Sequence, residues 1–101
     1  MKYKYRFDPI AANEYEAAYS WYIERSVKAA ENFISAIDEA VEKVCANPHR
    51  YRKGYKELRE ITLKKYPFYL IYLIDEKKKT VIITSVYHNK RNPGKKYIKT
   101  P

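Results

Sequence analysis

Residues 63–93, LKKYPFYLIYLIDEKKKTVIITSVYHNKRNP, decide the fold. Phe68 to Ile74 is a dense aromatic and aliphatic run, and Thr80 to Val86 is β-branched almost throughout. Both compositions suit a pleated, half-buried surface. Asp75-Glu76-Lys77-Lys78-Lys79 between them is polar and turn-like, so the pair reads as a β-hairpin. Cations flank it, with Lys64 and Lys65 before the first strand and His88, Lys90 and Arg91 after the second. In an antiparallel hairpin the end of the second strand returns beside the start of the first. Topology therefore gathers Lys64, Lys65, His88 and Arg91 at one end. Both faces of both strands are largely apolar, which leaves the pairing register open.

Ahead of the hairpin, Glu57 to Leu63 reads as a further strand, with Arg59, Ile61 and Leu63 on one side. Asn47 to Gly54 (NPHRYRKG) is a basic, aromatic loop. Before it, Ala30, Phe33, Ile34, Ile37, Ala40, Val41 and Val44 recur at helical spacing behind a Ser26 N-cap. Pro48 disfavours helix at Asn47 and stops that element near Ala46, with Cys45 packed at its end. Another helix starts at Asp8-Pro9, an N-cap followed by a first-turn proline, and runs to about Arg25. Ala11, Tyr15, Ala18 and Tyr22 form its buried stripe, widened by Tyr19 and Trp21, while Glu14, Glu16 and Glu24 are expected in solvent. Tyr3, Tyr5 and Phe7 alternate with Lys2, Lys4 and Arg6, the pattern of a half-buried strand. The expected fold is α+β: an N-terminal strand, an antiparallel helix hairpin, then a three-stranded antiparallel meander, with the helices on one face of a mostly antiparallel sheet.

The 101 residues make one domain, 46% of them hydrophobic, enough for a modest core. Residues 93–101 follow Asn92-Pro93-Gly94 and are expected to be a mobile tail. No apolar run approaches the ~20 residues of a membrane span, and MKYKYRFDPI lacks the apolar core of a secretory signal. Cys45 is the single cysteine, in keeping with a cytoplasmic protein. Residues 1–49 carry 6 Lys and Arg against 8 Asp and Glu, net −2, whereas residues 50–101 carry 15 against 4, net +11. Such asymmetry points to a polyanionic partner, either nucleic acid or an acidic protein segment.

Two glycines exclude a glycine-rich phosphate cradle, and His49, His88 and Cys45 have no metal-ligand spacing, so no cofactor is expected. What remains is a set of cations on strands and loops: Arg50, Arg52, Arg59, Lys64, Lys65, Lys90 and Arg91, with His88 among them. Such residues bind phosphates. They can also cleave RNA without a metal. The ribose 2′-OH attacks, a base takes its proton, cations stabilise the charge growing on the phosphate, and an acid protonates the leaving oxygen. Each also has a structural use. His88 can be a hydrogen-bonded strand end, Lys64 and Lys65 edge gatekeepers, and Arg59 one half of a cross-strand pair. Tyr66, Tyr69, Tyr72 and Tyr87 can be packing rather than base-stacking platforms.

The chain resembles the RelE/ParE superfamily of bacterial type II toxins, also called plasmid-stabilisation proteins. The resemblance covers about residues 3–97. It rests on the helix pair with WYIERS and AAENFISAI, Pro48, Arg59-Glu60, Tyr66-Pro67-Phe68 with Ile71-Tyr72, and Val86, His88 and Arg91-Asn92-Pro93. It implies a small toxin neutralised by a cognate antitoxin whose segment wraps the helix hairpin and the sheet. RelE-like members cleave mRNA on the ribosome, and ParE-like members poison DNA gyrase without cleaving RNA. On the RelE pattern Arg59, Lys64 or Lys65, and Arg91 fall near the basic positions, His88 near a late-strand histidine and Tyr97 near the C-terminal tyrosine; Lys64, Lys65, His88 and Arg91 are the expected catalytic residues, and Arg59 and Tyr97, with Arg50, Arg52 and Lys90 from the cation set, are expected to hold nucleic acid. Three functions stay open at this level: an mRNA endonuclease toxin, a gyrase inhibitor, and a basic binding module without toxicity.

Overall fold

Asp8 starts the helical half of the molecule. Its side chain accepts the Ala11 N–H at 3.0 Å, and Pro9 follows where no backbone donor is needed. In the computed structural model, which describes residues 2–90, helix α1 spans Pro9–Ile23 and helix α2 spans Val27–Ala46. Ser26 caps α2 through a 3.1 Å bond from Ala29 N–H to its hydroxyl, and Pro48 opens a single 3-10 turn, Pro48–Arg50. The helices lie on one face of a four-stranded sheet made of β1 (Lys4–Phe7), β2 (Arg59–Thr62), β3 (Phe68–Asp75) and β4 (Thr80–His88).

The strand order is β1-β4-β3-β2. The hairpin expected from residues 63–93 is β3–β4, pairing Phe68 with His88 and Asp75 with Thr80. Ile71 faces Ser85 while Tyr72 faces Ile83, so Thr84 is an extra residue in a bulge, and its hydroxyl donates to the Ile71 carbonyl at 3.2 Å. The N-terminal strand joins this sheet in parallel, Lys4 beside Thr80 and Phe7 beside Ile83, which makes the sheet mixed. The α1–α2 hairpin between β1 and the rest of the sheet allows that direction.

One core fills the space between helices and sheet. Phe33, Ile37 and Val41 from α2 meet Leu70 of β3 and Ile83 of β4 there, all buried. The Cys45 thiol is buried at the end of α2, 3.9 Å from the Lys4 carbonyl, and burial raises its pKa. A smaller cluster of Leu58, Ile71 and Tyr87, flanked by Leu73, lies apart from that core. Tyr5 and Trp21 depart from the expected stripes and are half exposed, Tyr5 because β1 is an edge strand. No helix among the described residues is long and apolar enough to cross a membrane.

Candidate functional site

The segment between β2 and β3 is a tight turn. Leu63 N–H donates to the Phe68 carbonyl at 2.9 Å, and Lys65 takes φ 70°, a left-handed conformation that a side chain disfavours. Lys64 and Lys65 stand exposed on it. Asn89 N–H reaches across to the Pro67 carbonyl at 2.8 Å, tying the residues after β4 to the same turn. Lys64, Lys65, His88 and Lys90 thus share one end of the sheet.

His88 is half buried. Its ring packs edge-on against Phe68, 5.0 Å between centroids, on the side of the sheet that carries the helices. The Lys90 N–H donates to His88 Nδ1 at 3.1 Å, so that ring nitrogen is an acceptor engaged by the backbone. Tyr66 packs on Tyr22 and Phe33, so it anchors the lysine turn to the helices. Tyr72 donates its hydroxyl to the Pro48 carbonyl at 2.7 Å, and burial raises its pKa well beyond the usual phenol range. Both rings serve packing.

Arg59 lies elsewhere. It faces Tyr72 across β2 and β3, four residues along β3 from the Phe68–His88 pair. That offset is roughly 13 Å along the strands, with two strand spacings of ~5 Å across them. Its guanidinium donates to the backbone carbonyls of Tyr51, at 2.8 Å, and His49, at 3.2 Å. The 3-10 turn and the loop that carries Arg50 and Arg52 are held by these bonds. Arg50 and Arg52 are exposed beside it, Arg50 with its guanidinium 5.9 Å from the Tyr51 ring centre. Of the nine residues proposed from the sequence, seven therefore fall into two groups, Lys64–Lys65–His88–Lys90 and Arg50–Arg52–Arg59. Arg91 and Tyr97, with the rest of the 93–101 tail, lie outside the described residues.

Two residues at the His88 end escaped the sequence reading. Glu14 is not a solvated carboxylate: its Oε1 accepts the Ser85 hydroxyl at 2.8 Å and the Val86 N–H at 2.9 Å. Trp21 is not part of the core but walls a cavity of about 400 Å³ together with Tyr22, Pro67, Phe68, Glu14 and His88. The signal was present. Glu14 stands three residues after Ala11 and four before Ala18, on the helix face that meets β4, where only its charge argued for solvent. At the opposite end of the hairpin, the Glu76 carboxylate accepts from Tyr3 and Lys79 and contacts His49. The Tyr3 and Lys79 bonds hold its pKa below the usual carboxylate value.

Comparison with solved structures places this fold among known toxins. A chain of the chromosomal ParDE TA system from P. aeruginosa superposes with a TM-score of 0.62 at 22% identity, over 86% of this chain and 96% of that one. The intact E. coli RelBE toxin–antitoxin complex gives 0.62 at 20%, over 88% and 99%, and the isolated E. coli RelE toxin 0.62 at 19%, over 91% and 89%. At these identities the likeness concerns the fold. No curated protein sequence matches significantly. The sequence profile described as the ParE toxin of the type II toxin–antitoxin system, parDE, matches residues 5–93. With nearly the whole chain inside that match, this protein belongs to the ParE toxin family of type II toxin–antitoxin systems, within the RelE/ParE superfamily.

Proposed function

We propose that this toxin acts by binding its target rather than by cleaving RNA, and that the target is DNA gyrase, as the ParE side of the resemblance implies. One observation carries this: Arg59, one of the cations expected to hold nucleic acid, donates to two backbone carbonyls and sits well away from Lys64, Lys65 and His88. His88 adds support, since its Nδ1 is engaged by Lys90 N–H and its ring rests on Phe68. Acid–base cleavage needs base, acid and phosphate clamp around one phosphorus atom. Two separate basic groups suit a broad, charge-complementary contact better.

The likeness to a toxin–antitoxin complex supports a cognate antitoxin as the neutralising partner. The mRNA-cleavage alternative keeps one observation in its favour, the shared placement of Lys64, Lys65, His88 and Lys90. Purified toxin is added to gyrase with relaxed plasmid, and separately to a reconstituted translation reaction with a defined message. Loss of supercoiling, with the message intact, is expected. A message cut in the ribosomal A site, with supercoiling unaffected, would overturn the proposal in favour of the nuclease.

A further inference from the structure

Residues 50–59, RYRKGYKELR, hold five cations against one acid, Glu57. That acid is already matched, with Lys53 Nζ at 3.5 Å from its Oε1. Arg50, Arg52 and Lys56 are exposed and form no ion pair among the described residues. The segment that carries them is nevertheless ordered. Gly54 N–H donates to the Leu58 carbonyl at 2.8 Å, Leu58 N–H to the Tyr55 carbonyl at 2.9 Å, and Glu60 N–H to the Arg52 carbonyl at 3.0 Å. Leu58 is buried against Ile71 and Tyr87, and the Arg59 guanidinium fixes the Tyr51 and His49 carbonyls from the other side. Tyr51 is extended, with φ −88° and ψ 160°, and packs on the main core. Arg50 and Arg52 on either side of it therefore project together, away from that core. Tyr55 beside them is half exposed, with the Lys56 ammonium 5.4 Å from its ring centre.

We propose that this loop is a contact for the phosphodiester backbone of nucleic acid, with Arg50, Arg52 and Lys56 on phosphates and Tyr55 against a sugar or base. Arginine presents a planar fork of donors that matches phosphate geometry, and an exposed tyrosine offers a stacking face. A protein partner would draw its binding energy from apolar anchors at the centre of the contact. Here the exposed side chains are cations around one tyrosine, and Leu58, the aliphatic member, is buried. Because the loop is held by its own hydrogen bonds, little ordering opposes binding. The inference goes beyond the gyrase reading and does not depend on it.

A chain of net charge +9 attracts any polyanion, so the test compares variants of equal charge. Fluorescence anisotropy follows the full chain binding a labelled DNA duplex and a labelled single-stranded RNA over a range of salt concentrations. Arg50→Ala combined with Arg52→Ala should weaken binding about tenfold and lower the slope of log K against log salt by about 2, and Lys56→Ala should lower that slope by about 1. Lys77→Ala combined with Lys78→Ala removes the same two charges from the exposed β3–β4 turn and should change affinity less than about threefold. Circular dichroism shows that each variant keeps the fold. Tighter binding of the duplex names DNA as the source of the phosphates, and tighter binding of the single strand names RNA. Equal losses from the arginine and lysine pairs would overturn the proposal, since net charge alone would then explain the binding. A glutamate-rich peptide that binds more tightly than either nucleic acid, and loses affinity in the arginine pair, would overturn it in favour of an acidic protein segment.

Discussion

Glu14 of α1 takes the hydrogen bond that a neighbouring strand would otherwise offer Val86. β1 ends at Phe7, opposite Ile83, so β4 runs on beyond its partner, and the Glu14 carboxylate accepts the Val86 N–H at 2.9 Å where no β1 residue reaches. Hydrogen bonds to a charged acceptor are the stronger kind. Glu14→Ala removes that acceptor from a half-buried edge and should cost about 2 kcal/mol. Glu14→Gln keeps one oxygen and should cost less than half as much. Urea midpoints at constant slope measure both; a Glu14→Ala midpoint equal to that of the unmodified protein would show that water replaces the carboxylate.

The α2 stripe supplies a second test. Ile37 is 1% exposed and packs in the main core. Ile37→Ala should cost about 2–5 kcal/mol, because the cavity closes only in part. A change under about 0.5 kcal/mol, the size usual for surface positions, would contradict its place in the core.

At high pH, Tyr72 should govern the loss of stability. Its hydroxyl is buried against the Pro48 carbonyl, and burial raises its pKa. In the unfolded chain it ionises near the usual value of about 10. The sign follows: its contribution is complete below that value and is lost as pH climbs toward the folded value. Tyr72→Phe should cost about 1 kcal/mol near neutrality and flatten the alkaline limb of a melting-temperature profile. An alkaline limb identical in the variant would exclude Tyr72 as its source.

Glu76 should act at the acid end. The Tyr3 hydroxyl, then Lys79, hold its carboxylate pKa below the ordinary one, so its stabilising effect is present above the unfolded value, about 4.3, and fades as pH falls through the folded value. Glu76→Gln should make stability less steep with pH below that point. The same acid slope in the variant would mean that other carboxylates carry it.

Arg59 and Lys64 should separate cleanly in stability measurements. Arg59 holds the Tyr51 and His49 carbonyls, so Arg59→Ala should lower stability by about 1–2 kcal/mol. Exposed Lys64→Ala should stay within about 0.5 kcal/mol. If instead Arg59→Ala leaves stability intact while toxicity disappears, the guanidinium is an interface group and its carbonyl bonds are incidental.

Much of the fold was legible because local signals agree with tertiary packing. Asp8-Pro9 and Ser26 mark helix starts in the sequence and cap helices in the structure, and the α2 spacing alone separates Phe33, Ile37 and Val41 from the solvent face. The parallel docking of β1 on β4 carries no such signal, since pairing between segments more than 70 residues apart leaves no mark on either. The candidate site was half legible. Hairpin topology sufficed to bring Lys64 and Lys65 toward His88, but faces apolar on both sides hid the register that sets Arg59 apart. Glu14 and Trp21 were misplaced because residue type outweighed position: a carboxylate was assigned to water and an indole to the core.

β4 lies between β1 and β3, so a central strand of the sheet is the last of the described strands to be synthesised. Until residues 80–88 leave the ribosome, β1 has no ladder to join, and the helix hairpin has only β2 and β3 to cover. Contacts so far apart in sequence delay folding. Until β4 emerges, the chain lacks the sheet that carries the lysine turn and His88, and any product halted before β4 lacks that surface.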